Sequence, residues 1–228
     1  MIVCNKFVFL HLHKSGGTFV NQMMAACIPY ARQIGYHFPY KELPHSFQRL
    51  PVVGTVRNPW DYYVSWYHFQ AQMEKPHPLY MCVSKGNSLN FEETIFNLLS
   101  ISENKQLFTE FQQQLPTQYM PYGINLTQKC IEPLKNSGCG FYSFLYRRLY
   151  HGASEPIIIK MEQLRAGLNT LVEQLQLQPQ PRILAFLRDA PNMNTSEHNN
   201  YQSYYSNKLK QGVANADAAV IKQHNYMF

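Results

Sequence analysis

A chain of 228 residues with 45% hydrophobic content can bury a core as one domain, or as one domain with an inserted lid. Its formal net charge of +6 comes from only 15% charged residues, and no run of five Lys/Arg occurs, which argues against a duplex-tracking basic stripe and suits a small anionic ligand. No apolar run approaches the roughly 18 residues that cross a bilayer, and no cleavage site follows the N-terminal one, so a cytoplasmic protein is expected, with no membrane and no nucleic acid among its partners. The five cysteines are odd in number and form no CxxC pair, which suits buried thiols in a reducing compartment better than disulfides or zinc.

In chain order, FVFLHL (7–12) reads as a buried strand, and after a break at HKSGGT the positions Phe19, Val20, Met23, Met24 and Cys27 share one helical face that Pro29 ends. PVVGTVR (51–57) predicts a second strand. Asn58 follows as an N-cap and Pro59 at the favoured first helical position of an aromatic-rich helix to about Met73. The stretch 74–150 is punctuated by Pro and Asn, with a helix from a capping box at Asn90/Glu93, another over about 103–115, and a glycine break at 137–140. It is read as a helical insertion or lid within a single domain of 1–228, and as the part that shapes the acceptor site. IIIK (157–160) is a short strand, 161–177 an amphipathic helix, 192–206 a polar loop, and about 206–222 a last helix. Strands alternating with helices predict an α/β sandwich around a central parallel sheet, with ligands at the strand C-terminal ends.

Two loops lie at such ends. In HKSGGT, Gly16 and Gly17 let the backbone approach an anion, the following helix aims its N–H groups and dipole at it, and Lys14 and Thr18 add a charge and a hydroxyl. The same residues would serve a plain strand-to-helix turn. A Walker A loop is ruled out because its lysine follows the last glycine. In TVRNPWDYYVSWYHF, Arg57 stands at a strand end, and Ser65 lies about 9 Å along the helix at ~1.5 Å per residue, with its Cβ leaning back toward the N-terminus. The fork of Arg57 and the hydroxyl of Ser65 could meet over one phosphate; equally, Arg57 could pair with Asp61 and Ser65 be an ordinary helix residue.

Together the two loops resemble the 5′-phosphosulfate loop and the 3′-phosphate motif of sulfotransferases that use 3′-phosphoadenosine 5′-phosphosulfate. GYHFPY (35–40) resembles the G-H-F-P-Y element of the branch holding carbohydrate 2-O-sulfotransferases and many bacterial enzymes; IIIKMEQL (157–164) and NTSEHNNYQSYYSNKL (194–209) are similar to its late strand and C-terminal segment. The resemblance implies a P-loop-like three-layer fold and transfer of a sulfonate, without metal, to a small-molecule acceptor, a hydroxyl first and an amine second. It implies Lys14 on the sulfonate and bridging oxygen, with Ser15, Gly16, Gly17 and Thr18 on the 5′-phosphate. Arg57 and Ser65 would hold the 3′-phosphate, Ser196 and His198 would contact the nucleotide from the tail, and His37 would be the general base. A neutral imidazole titrating near working pH suits that role. The sequence departs from the pattern in having His13 where a proline is usual and Tyr36 between Gly35 and His37, so His11, His13, His45 and His68 are weighed as substitute bases.

A nucleotide kinase, a non-catalytic nucleotide-binding module and a carbohydrate acceptor stand as alternatives, and self-association is left open. His11-x-His13 as a metal pair, the aromatics Trp60, Tyr62, Tyr63, Trp66, Tyr67 and Phe69 as a stacking platform, and Asn125-Leu126-Thr127 as a glycosylation sequon are set aside.

Overall fold

The computed structural model describes residues 1–121, 123–191, 193 and 198–228. Its elements, in chain order, are β1 (Ile2–Val3), β2 (Val8–Leu10), α1 (Gly17–Cys27), β3 (Arg32–Gln33), β4 (Val52–Val56), α2 (Pro59–Ala71), α3 (Pro78–Val83), α4 (Phe91–Ser100), α5 (Lys105–Gln113) and α6 (Phe141–Tyr150), then β5 (Ile157–Lys160), α7 (Leu164–Gln174), α8 (Gln180–Asp189), α9 (Asn207–Ala216) and α10 (Ala218–Gln223). The described residues form two compact units: Met1–Arg57, Pro121–Asn125 and Arg147–Thr195 in the first; Asn58–Met120, Leu126–Tyr146 and Ser196–Phe228 in the second. Among them, no helix is long and apolar enough to cross a membrane.

The first unit holds the whole sheet, in the order β3-β1-β2-β4-β5. β2, β4 and β5 run parallel, as expected of a central parallel sheet, whereas β1 at the edge is antiparallel to both β2 and β3. The reason is chain length: the exposed Asn5 and Lys6 turn the chain, closed by the Cys4 N–H on the Phe7 carbonyl, and so short a link allows only a hairpin. One face of the sheet presents Phe9, Val53 and Ile159 to Val20 and Met23 of α1, Leu168 and Leu171 of α7, and Ile183 and Leu187 of α8. On the other face Tyr150 lies over Gly54, where an added Cβ would stand 2.2 Å from the phenol oxygen. That phenol accepts from the Thr55 N–H and donates to the Thr55 carbonyl, each at 2.9 Å.

The second unit is helical. α2 starts at Pro59 with the Asn58 side chain accepting from the Trp60 N–H at 3.1 Å, and its first turns are buried nearly all round through Trp60, Tyr62, Tyr63 and Trp66. Tyr62 stacks on Tyr142 with ring centroids 4.1 Å apart, and Trp66 meets Tyr80 edge-on, so these rings are core. α4 begins with the reciprocal Asn90/Glu93 capping box. The expected single tail helix is broken at Asp217, which is fully buried. Its carboxylate accepts from the Tyr63 hydroxyl at 2.7 Å and from the Ser143 N–H at 2.8 Å, and so caps α6 from outside that helix. Gly140 is needed beside it, since a Cβ there would lie 2.6 Å from the carboxylate oxygens.

Asp217→Ala is expected to orphan two buried donors at about 1–3 kcal/mol each, lowering the melting temperature by about 2–4 °C per kcal/mol lost. Thermal unfolding followed by circular dichroism checks this; an unchanged melt would remove the cap from the stability account.

Candidate active site

The loop between β2 and α1 is built from backbone conformations that most residues avoid. Lys14 has φ 54° and Gly16, the N-cap of α1, has φ 78°. A Cβ on Gly17 would come within 1.9 Å of His11 Cδ2, so only glycine fits where the buried His11 ring crosses the start of the helix. α1 begins with no side-chain cap and no acidic residue in its first turn, so its positive dipole end is not neutralised by a side chain of that turn. The Ser15 hydroxyl, fully buried, donates to the His13 carbonyl at 3.2 Å and folds the loop on itself.

Arg57 follows β4 directly and is 7% exposed; its Nη1 donates to the Lys14 carbonyl at 3.1 Å. Burial first, and then the Arg57 guanidinium, push the Lys14 ammonium down to about 8. Two cations brought together beside the N-terminus of α1 make a locally positive site. The charge distribution agrees: by sequence, the segments of the first unit carry twelve Lys and Arg against five Asp and Glu, and those of the second eight against nine.

His37 reaches the same loop from the segment after β3. Its ring centroid lies 4.2 Å from that of His11 and 5.6 Å from that of His13, the neighbour of Lys14. His37 Nδ1 is 2.6 Å from the His11 carbonyl. A carbonyl only accepts, so Nδ1 carries the proton and Nε2 keeps the lone pair, the tautomer of a base. Burial pushes His37 down to about 3, with the His11 carbonyl partly opposing the shift, and holds His11 well below the usual imidazole range. Titration near working pH, expected from the sequence, is thus corrected: in the free protein His37 is neutral at every physiological pH. His11 is no substitute base here, since Asn21 Nδ2 lies 3.2 Å from its Nδ1 and its ring is used in packing.

Lys14, Ser15, Gly16, Gly17, Thr18, His37 and Arg57 all belong to the first unit. Ser65 belongs to the second, 1% exposed on α2. His198 is also in the second; its ring stacks on His68 with centroids 5.7 Å apart and its Nδ1 lies 2.8 Å from the Asn199 carbonyl. Ser196 lies outside the described residues. Among the described residues, no group of three or more His, Cys, Asp or Glu is arranged to hold a metal ion. The sequence reading missed the structural use of His11 and Arg148. For His11 the signal was present, in its place two residues before the lysine loop; for Arg148, which contacts the His37 loop from α6, none was.

A family model described as "Sulfotransferase domain" matches residues 21–123. No curated protein matches the chain. The match takes in His37, Arg57 and Ser65 and bears out the resemblance to the sulfotransferase family over a little under half of the chain; it begins beyond the Lys14–Thr18 loop, whose case rests on its own geometry. The class of protein to which that partial match points is a transferase of sulfonate groups.

Gly17→Ala must displace the His11 ring. The variant is expected to bind adenosine 3′,5′-bisphosphate at least tenfold more weakly by titration calorimetry, and to lose about 1–3 kcal/mol of stability as an overpacked site does; wild-type affinity would show that the loop is only a turn.

Proposed function

We propose that this protein moves a sulfonate group from 3′-phosphoadenosine 5′-phosphosulfate to a hydroxyl, or less readily an amine, of a small-molecule acceptor by in-line displacement. The observation that carries the reading is the neutral His37, its Nδ1 committed to the His11 carbonyl beside a lysine-bearing anion loop. Three features support such a donor: Gly17 leaves no room for a Cβ, α1 opens without a side-chain cap, and Arg57 lies close enough to Lys14 for its charge to lower the ammonium.

When bound, the donor supplies an activated sulfonate on a phosphate leaving group. The Lys14 ammonium would neutralise charge growing on the bridging oxygen, and the N–H groups of Ser15, Gly16, Gly17 and Thr18, with the Thr18 hydroxyl, would hold the 5′-phosphate. Arg57 and Ser65 are assigned to the 3′-phosphate, and Ser196 and His198 to the nucleotide's outer side, on the sequence motif. His37 Nε2 would take the acceptor proton as the new bond to sulfur forms. The donor's negative charge favours that protonation, offsetting the burial that suppresses it in the free protein. The five cysteines are all free thiols, which supports a cytoplasmic setting.

Thermal protection separates this reading from a kinase: the bisphosphate is expected to raise the melting temperature, and ATP with Mg²⁺ is not. His37→Ala should keep bisphosphate affinity and lose about 10²–10⁴ in turnover with whichever acceptor a labelled-donor screen finds. Arg57→Ala should weaken the bisphosphate itself; unchanged affinity would take Arg57 out of the nucleotide site. The pH profile follows from the free-protein values. kcat/KM should show no acidic limb near 6.5, because His37 stays neutral down to about 3, and should fall above about 8 as Lys14 loses its proton.

A further inference from the structure

Asn125 opens the Asn-Leu-Thr triplet, but its side chain is no modification site in the folded chain: it is 5% exposed, and its Nδ2 donates to the Tyr36 carbonyl at 2.6 Å. Arg148, in the last turns of α6, donates from Nη2 to the Asn125 carbonyl at 2.6 Å, and its Nη1 stands 3.5 Å from the His37 carbonyl, a long charge-assisted contact. The carbonyls of Tyr36 and His37, consecutive in the chain, are therefore each held from outside the loop. Both sides of this clamp are strained, His37 at φ 53° and Asn125 at φ 52°. A non-glycine residue in that region costs on the order of 1–3 kcal/mol and persists only where its surroundings fix it. Relaxing His37 to negative φ would swing its ring away from the His11 carbonyl, and with that the tautomer would no longer be set.

We propose that Asn125 and Arg148 are positioning residues that hold the Tyr36–His37 backbone in its left-handed turn and so aim Nε2 of His37. The consequence for turnover rests on the reading of His37 as the general base. The inserted Tyr36 then has a use: its carbonyl is the handle by which Asn125 fixes the turn.

The test is imidazole nitrogen NMR on the full chain, together with bisphosphate release from the phosphosulfate donor. Wild type is expected to show His37 with a protonated Nδ1 and a bare Nε2. Asn125→Asp, nearly isosteric but without the donor, should mix the two tautomers and slow release at least tenfold, with bisphosphate affinity within twofold of wild type. Arg148→Met should do the same, and Arg148→Lys should recover part of the loss. Wild-type tautomer signals in both Asn125→Asp and Arg148→Met would overturn the proposal, and should Asn125→Asp fail to fold, Arg148→Met decides alone. If His37→Ala keeps its turnover, the base assignment fails while the NMR result still decides whether these two residues set the ring.

Discussion

The close passage of the His11 ring across the α-carbon of Gly17 is the constraint on which the rest of the site depends. One residue at the end of β2 fixes three things: its ring dictates glycine at the head of α1, its Nδ1 engages Asn21 one turn into that helix, and its carbonyl takes the proton of His37 Nδ1. Each contact is local and modest. Their effect is collective, because they fix the first N–H groups of α1 and the lone pair of His37 against the same buried ring. A neutral imidazole suits this position, since charging it there would require removing an ion from water without a partner.

The site gathers positive charge in one place. Arg57 holds the Lys14 carbonyl while its charge works against the Lys14 ammonium, and both stand in a unit whose cations outnumber its acids by more than two to one. On the proposed function, binding of a highly charged anion would favour this arrangement. Burial, with the charge of Arg57 second, lowers Lys14 to about 8, a range in which mild alkali removes its proton.

The helical unit solves a different problem, the burial of a carboxylate. Asp217 has no cation on it in the hydrogen-bond network described; it is held by a phenol and by the N-terminal N–H of α6. Burial raises its proton affinity, and those two donors oppose the rise. The cost is a broken tail helix, which explains why an unbroken one over 206–222 was expected and two were found. The hydrophobic spacing on either side of Asp217 is compatible with continuity, and the break is decided by the partner helix.

The elements with local signals were legible in the sequence: the Asn90/Glu93 capping box, the Asn58-Pro59 helix start, the IIIK strand and the glycine loop all stand where local stereochemistry puts them. The hairpin of β1 and β2 was not, because the two residues of β1, Ile2 and Val3, are too few to show a period. Of the helices missed, α3 has six residues, under two turns of pattern, and α8 opens inside the Gln-Pro-Gln-Pro segment that reads as a stop. In the site, the sequence by itself determined the chemical types: a lysine before two glycines, an arginine at a strand end, a histidine ahead of Phe-Pro-Tyr. Only the tertiary structure decided the protonation pattern of His37 and what fixes it, because a tautomer is set by the nearest acceptor and a strained backbone by its nearest donors. Those groups, the carbonyl of His11 and the side chains of Asn125 and Arg148, are distant from His37 in the chain and adjacent to it only in the fold.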